Sequence, residues 1–238
     1  MRHIKRFPEP AILKEKQTEW QEKYNAKLDA DPHARPDSSK YAHKEIKDTL
    51  YAMSYGKCFY CETKLSGGNR EVDHFIEVAI DHSKAYEWDN LYLSCSNCND
   101  KMDHNAIPVT EALDPCRDSD EVIQQNVTFV DELISAVPGS AKGLNTIKKY
   151  RLNTDLLDMR RGQWLKKLLK TVADIEAVMI EEGRNKVTDS EKKTLLRYMS
   201  PDQPYSLMSE VYLKTHFPNL IAGNGGTGTC FTNNRSQQ

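Results

Sequence analysis

Four cysteines in two pairs, Cys58-Phe-Tyr-Cys61 and Cys95-Ser-Asn-Cys98, carry the strongest chemical signal in the chain. A CxxC pair closes a tight knuckle that lets two thiolates reach one Zn²⁺, and two knuckles complete a closed tetrahedral four-sulfur site. Buried unligated cysteines would sit in apolar surroundings, whereas both pairs are flanked by polar turn residues. Cys116 and Cys230 have no partner at knuckle spacing and read as free thiols. A plain four-cysteine site spaces its pairs by about 15 to 20 residues. Here 33 residues separate Cys61 from Cys95, so something has been inserted.

The insert holds Glu71-Val72-Asp73-His74 and Trp88-Asp89-Asn90-Leu91, and the second pair runs directly into Asn99-Asp100-Lys101. Carboxylate and amide oxygens such as those of Asp73 and Asn99 are hard ligands for Mg²⁺ or Mn²⁺, and His74 is the side-chain type that exchanges protons near neutral pH. On one strand, Asp73 and His74 point to opposite faces, so a shared site requires a bulge or bend. Lys101 reads equally well as a phosphate contact on a helix or as a solvated helix lysine.

The elements that must position these residues divide by composition. Residues 9–30 place Ile12, Leu13, Trp20, Tyr24 and Leu28 at helical spacing on a charged background, and a second helix is expected over 41–53, ending before Gly56. Between 57 and 105 the apolar runs shorten to VDHFI and LYLSC, each the length of a strand. VTFVDELISAV reads as a strand pair bounded by Pro138 and Gly139. Residues 144–182 turn helical, with Gly162 as a candidate division, followed by helices over 189–199, capped by Thr188 or Asp189, and 207–214. The tail from Gly223 is expected to be disordered.

Charge follows the same partition, with net values of +2, −6 and +2 over 1–56, 57–115 and 116–238. An acidic middle repels phosphate unless it holds cations, so basic surface must come from elsewhere. Lys142 to Lys170 offers nine basic residues against Asp155 and Asp158, with Arg160 and Arg161 the candidate nucleic-acid-binding pair. Glu77, Asp81, His82, Asp103 and His104 lie near the motif residues, but polar loops and surface histidines are the simpler reading. His3, His33, His43 and His216 have no evident partner. No run approaches the roughly 18 apolar residues of a membrane span. Basic MRHIKRFPEP lacks a following apolar stretch, which makes a secretory signal unexpected and the cytoplasm the expected compartment. That reducing setting favours metal over disulfides for the cysteines.

CFYC, EVDHF, WDNLYLSC and CNDK, in that order over about residues 57–105, resemble the HNH endonuclease family. The resemblance implies a ββα-metal core of two strands and a helix, treble-clef-like and stapled by zinc through Cys58, Cys61, Cys95 and Cys98. It implies Asp73 as a ligand of a catalytic Mg²⁺ or Mn²⁺, His74 as general base, Asn90 as the residue holding the base, and Asn99 as the residue completing the metal site, where many members carry His. MRHIKRFPEPAIL, LDPCRDSD and TIKKYRLNTDLLDMRR further resemble HNH proteins encoded with retrons and the PtuB-type nucleases of Septu anti-phage systems. This implies a PtuA-type ATPase partner, and a retron reverse transcriptase with its RNA and DNA product as a further one.

The expected architecture is α+β and mainly helical: an N-terminal helical region over 1–56, a zinc-bound nuclease core over 57–115, a mostly helical region over 116–222 and a tail over 223–238. Two functions remain open at this point. One is a metal-dependent endonuclease acting on DNA or RNA in phage defence; the other is an inactive, zinc-stabilised module binding nucleic acid or protein.

Overall fold

The computed structural model describes residues 1–67 and 69–222, so the expected tail and Cys230 lie outside the described residues. The first helix, α1 (Ala11–Ala30), buries Leu13, Trp20 and Tyr24 along one side. The second expected helix is divided. α2 (Ser38–Tyr41) is capped by the Asp37 carboxylate, and α3 (Lys44–Met53) starts anew because His43 is extended and its Nδ1 accepts from the Glu45 N–H. Ile46, Leu50 and Met53 bury the inner face of α3. Gly56 closes it at φ +72°, where a Cβ would meet the Tyr51 ring at 2.6 Å.

Two short strands follow, β1 (Glu71–His74) and β2 (Leu91–Ser94), antiparallel with Asp73 opposite Tyr92 and His74 opposite Leu91. The Phe59 N–H donates to Leu93 O, which lays the first knuckle along β2. α4 (Ser96–Asn99) is a single turn. It stops because the Met102 N–H leaves the helical ladder to reach Lys149 O at 2.9 Å. Lys101, Asp103 and His104 therefore lie on irregular backbone, not on the helix expected there.

Ser119 caps α5 (Asp120–Asn126), which leads into the expected strand pair, the antiparallel hairpin β3 (Val127–Val130) and β4 (Leu133–Ala136). α6 (Ala141–Lys149) then packs on β4. The long helical stretch is interrupted at residues 150–154, where Arg151 takes φ +51°. It is not interrupted at Gly162, which α7 (Asp155–Glu181) passes without a break. Thr188 and Glu191 form a reciprocal capping box on α8 (Asp189–Arg197), and α9 (Ser206–His216) and α10 (Pro218–Ile221) complete the described chain.

The core falls into two clusters. The larger runs from Met1 and α1 through the four cysteines and β2 to Leu157 and Leu207; the smaller joins α7, α8 and α9 through Leu168, Val172, Leu195, Met208 and Leu213. A buried ionic knot ties them. The Glu62 carboxylate, in the loop after Cys61, accepts from the Met1 amine at 3.0 Å, Lys57 Nζ at 3.2 Å, and Ser206 N and Oγ at 3.0 and 2.7 Å. Arg2 pairs with Glu210 at 2.5 Å. A carboxylate buried this deeply is tolerated only with such partners. Burial alone would push the Glu62 carboxyl up; the surrounding positive charges outweigh it and hold the group well below the usual carboxylate range.

Candidate active site

The four sulfur atoms of Cys58, Cys61, Cys95 and Cys98 lie within 4.8 Å of one another, and all four residues are buried. A tetrahedral zinc with bonds of about 2.3 Å requires sulfurs roughly 3.8 Å apart, and Cys61 Sγ and Cys95 Sγ are separated by 3.7 Å. The cluster fits a zinc ion. It joins the loop after α3 to the end of β2, so the ion would clamp the strand pair. Thr63 Oγ1, 3.2 Å from Cys61 Sγ, supports one ligand from outside. Cys116 stands apart, and burial raises its thiol to about 12.

Beside the strands opens a cleft of about 950 Å³. Asp73, His74, Glu77, Asn99, Lys101 and Asp103 line it, together with Tyr41 and residues 32–36. Asp73 and His74 reach the same cleft because β1 ends at His74 and the backbone bends at once over Phe75 and Ile76.

His74 Nε2 is 2.8 Å from Ala85 O. A carbonyl oxygen only accepts, so Nε2 carries the hydrogen and Nδ1 keeps its lone pair. The Tyr41 ring packs edge-on at 4.5 Å. Burial lowers the His74 pKa, against the opposing pull of the Ala85 hydrogen bond and the Asp73 charge, so the ring is neutral at neutral pH.

Asn90 is buried and spends its side chain on the loop between the strands. Its Oδ1 accepts from Ile76 N at 2.7 Å, and its Nδ2 donates to Ile76 O and Lys84 O at 3.0 Å. Asn99 Nδ2 donates to the Glu71 carboxylate, which leaves its Oδ1 for another partner.

Asp73 is occupied. Tyr60 OH donates to Oδ2 at 2.6 Å, and Lys101 Nζ lies 2.9 Å from each carboxylate oxygen, 2.5 Å from His74 O and 3.2 Å from Phe75 O. Lys101 is therefore neither the solvated lysine nor the phosphate contact expected from its position. An aspartate and an amide oxygen are suitable chemistry for Mg²⁺ or Mn²⁺, but with Lys101 seated as it is Asp73 is not free to ligate one.

The neighbours sort differently. Glu77 Oε1 accepts from Lys149 Nζ at 2.6 Å, and Glu77 Oε2 faces His104 Nδ1 at 3.9 Å. His82 Nδ1 is 3.1 Å from Tyr24 OH, while Asp81 and Asp103 cap local turns. His3 and His43 also have partners, Asp118 O and the start of α3.

The basic stripe of 142–170 does not form one surface. Arg161 is 1 % exposed, pairs with Asp158 and lies over the Phe129 ring, which removes it from the candidate nucleic-acid-binding pair. Lys149 is fully buried, and Lys142, Arg151 and Lys170 pair with Asp118, Asp100 and Asp174. Arg160 remains half-buried. A residue without a sequence signal stands out instead: Arg35, from the loop after α1, is exposed, lines the same cleft as His74 and has no ion pair or hydrogen bond among the described residues.

Residues 58–105 match the family model described as HNH endonuclease, the stretch that contains both knuckles, His74, Asn90 and Asn99. Septu protein PtuB of Bacillus mycoides (strain KBAB4) is 27% identical over 190 residues, 66% of this chain and 60% of that protein. Septu protein PtuB of Bacillus thuringiensis is 36% identical over 66 residues, 27% of this chain and 26% of that protein. The alignments thus span less than two thirds of either relative. The chain carries an HNH endonuclease domain and is similar to PtuB well beyond it.

Proposed function

We propose that this chain is an endonuclease hydrolysing phosphodiester bonds of DNA or RNA, and that it acts as the nuclease subunit of a Septu-type anti-phage defence complex. The observation that carries the reading is the orientation of His74: a neutral imidazole, its Nε2–H spent on Ala85 O, with Nδ1 unspent in a cleft. In that state Nδ1 takes a proton from a water molecule, the water oxygen attacks phosphorus, and the bond to the leaving ribose or deoxyribose oxygen breaks. Asn90 keeps the Ala85 carbonyl where His74 needs it. A zinc ion held by the four cysteines would fix the strand pair to which His74 and Asp73 belong. With Lys101 displaced from Asp73, a Mg²⁺ or Mn²⁺ ion held by Asp73 and Asn99 would supply positive charge to the phosphate oxygens. Arg35, an exposed cation lining the cleft with no ion pair among the described residues, serves as a phosphate contact.

Similarity to PtuB makes a PtuA-type ATPase the partner to test first, with a retron reverse transcriptase and its nucleic-acid product second. One observation favours the second reading, an inactive binding module: the Lys101 ammonium already neutralises Asp73. Zinc content and cleavage of plasmid, single-stranded DNA and total RNA, measured with and without the ATPase and beside His74→Ala, separate the two. Cleavage lost in the variant with zinc retained establishes the nuclease and its substrate. Zinc without cleavage in any combination establishes the module.

A further inference from the structure

Lys101 is a cation already seated on the carboxylate that a divalent ion would use. Its Nζ has four oxygen neighbours between 2.5 and 3.2 Å, two from Asp73 and one each from the His74 and Phe75 carbonyls. Its side chain is 6 % exposed. A cage of carboxylate and carbonyl oxygens is also what a hard metal ion selects. The ammonium and a divalent ion repel each other and compete for the same oxygens, so both cannot hold Asp73 at once.

We propose that Lys101 is a resident cation that closes the Asp73 site in the resting chain, and that a divalent ion binds only as Lys101 leaves. This rests on reading the cleft as a phosphodiesterase site. No proton is transferred: the ammonium departs charged into the cleft, and the ion takes over the Asp73 oxygens. The apparent affinity for the ion is then the intrinsic one reduced by the fraction of chains with Lys101 out.

The segment carrying the lysine is tied to the part of the fold beyond the nuclease core. Residues 100–103 have irregular backbone. Their anchors are Met102 N to Lys149 O at 2.9 Å and Asp100 to Arg151 at 2.5 Å. Lys149 also grips Glu77, in the loop after β1, at 2.6 Å. The end of α6 thus holds both the lysine's segment and the bend behind His74, and a shift there loosens both.

The test is Mn²⁺ binding to the zinc-loaded full chain, by electron paramagnetic resonance and by thermal shift. Lys101→Met should bind Mn²⁺ about tenfold or more tightly than the unmodified chain, by the fraction of open chains regained. Mn²⁺ should raise its Tm far more, and the double variant Asp73→Asn/Lys101→Met should lose both responses. Equal Mn²⁺ affinity in the unmodified chain and Lys101→Met overturns the proposal. Should Lys101→Met fail to fold, acetylation of the unmodified chain reads the same event. Lys101 should be protected without Mn²⁺ and labelled once Mn²⁺ saturates; unchanged labelling overturns it. Cleavage is scored separately: a chain that exchanges Lys101 for Mn²⁺ yet cuts nothing sinks the nuclease reading and leaves this inference standing.

Discussion

Asn90 and His74 are coupled through the loop between them: Asn90 binds both backbone groups of Ile76 and the carbonyl of Lys84, and the next carbonyl, Ala85, receives the His74 Nε2–H. The asparagine never touches the imidazole, yet it decides where the carbonyl that orients it stands.

Asn90→Ala should therefore lower kcat by about 10²-fold, the scale on which a general base is worth having, with little change in KM. Freed from its loop, His74 becomes better solvated and its pKa rises, so the acid limb of the pH–rate profile should move to higher pH. A loss of rate with the profile unmoved would show that Asn90 acts only on stability.

The pH dependence of cleavage follows from the His74 environment. Burial lowers its pKa, so activity should rise with a midpoint below the ~6.5 of a free imidazole. For stability the sign is set by proton uptake. Between the folded and unfolded values the unfolded chain binds more protons, so this group's contribution is complete above the unfolded value and is lost as pH falls toward the folded one. Cleavage by the unmodified chain and His74→Gln across that window, with Tm beside it, checks both.

Removal of zinc should unfold residues 58–105, since an ion held by the four thiols would join two segments separated by 33 residues. We expect about one zinc per chain, loss of far-UV ellipticity and of cleavage on chelation, and the same defect in Cys95→Ser. A fold and Tm unchanged by chelation would mean that the four thiols serve another purpose.

Arg35 and Arg161 should separate cleanly. Arg35→Ala should weaken oligonucleotide binding and flatten the slope of log affinity against log salt by roughly 0.7 to 0.9, the value of one phosphate contact. Arg161→Ala should leave the slope intact but destabilise the chain by about 1 to 3 kcal/mol, because it removes a buried cation from a partly exposed Asp158 and from the Phe129 ring. Fluorescence anisotropy at several salt concentrations and a urea melt distinguish them.

Much of this site was legible because its signals are local. The cysteine pairs, the two strands around VDHFI and LYLSC, the strand pair after residue 126 and the Thr188 cap depend on neighbours in sequence. Lys101 was not legible, since its partners, Asp73 and the carbonyls of His74 and Phe75, are 26 to 28 residues away. The break at 150–154 was missed because the left-handed residue there is Arg151, whereas attention falls on Gly162, which a helix tolerates in the presence of good neighbours. Arg161 read as surface because a run of charges gives no sign that Phe129 and Asp158 will cover one of them.

The knot around Glu62 sets an order of events during synthesis. Glu62 sits one residue after a zinc ligand, but its Ser206 partners lie 144 positions further along, and Arg2 waits for Glu210. Contacts so far apart form late, after the intervening chain has been made and its loop closed. While the ribosome is still making α7 and α8, a buried carboxylate beside the first knuckle lacks its stabilising hydrogen bonds. The loop after the first knuckle thus gains its full set of partners only once α9 has been made.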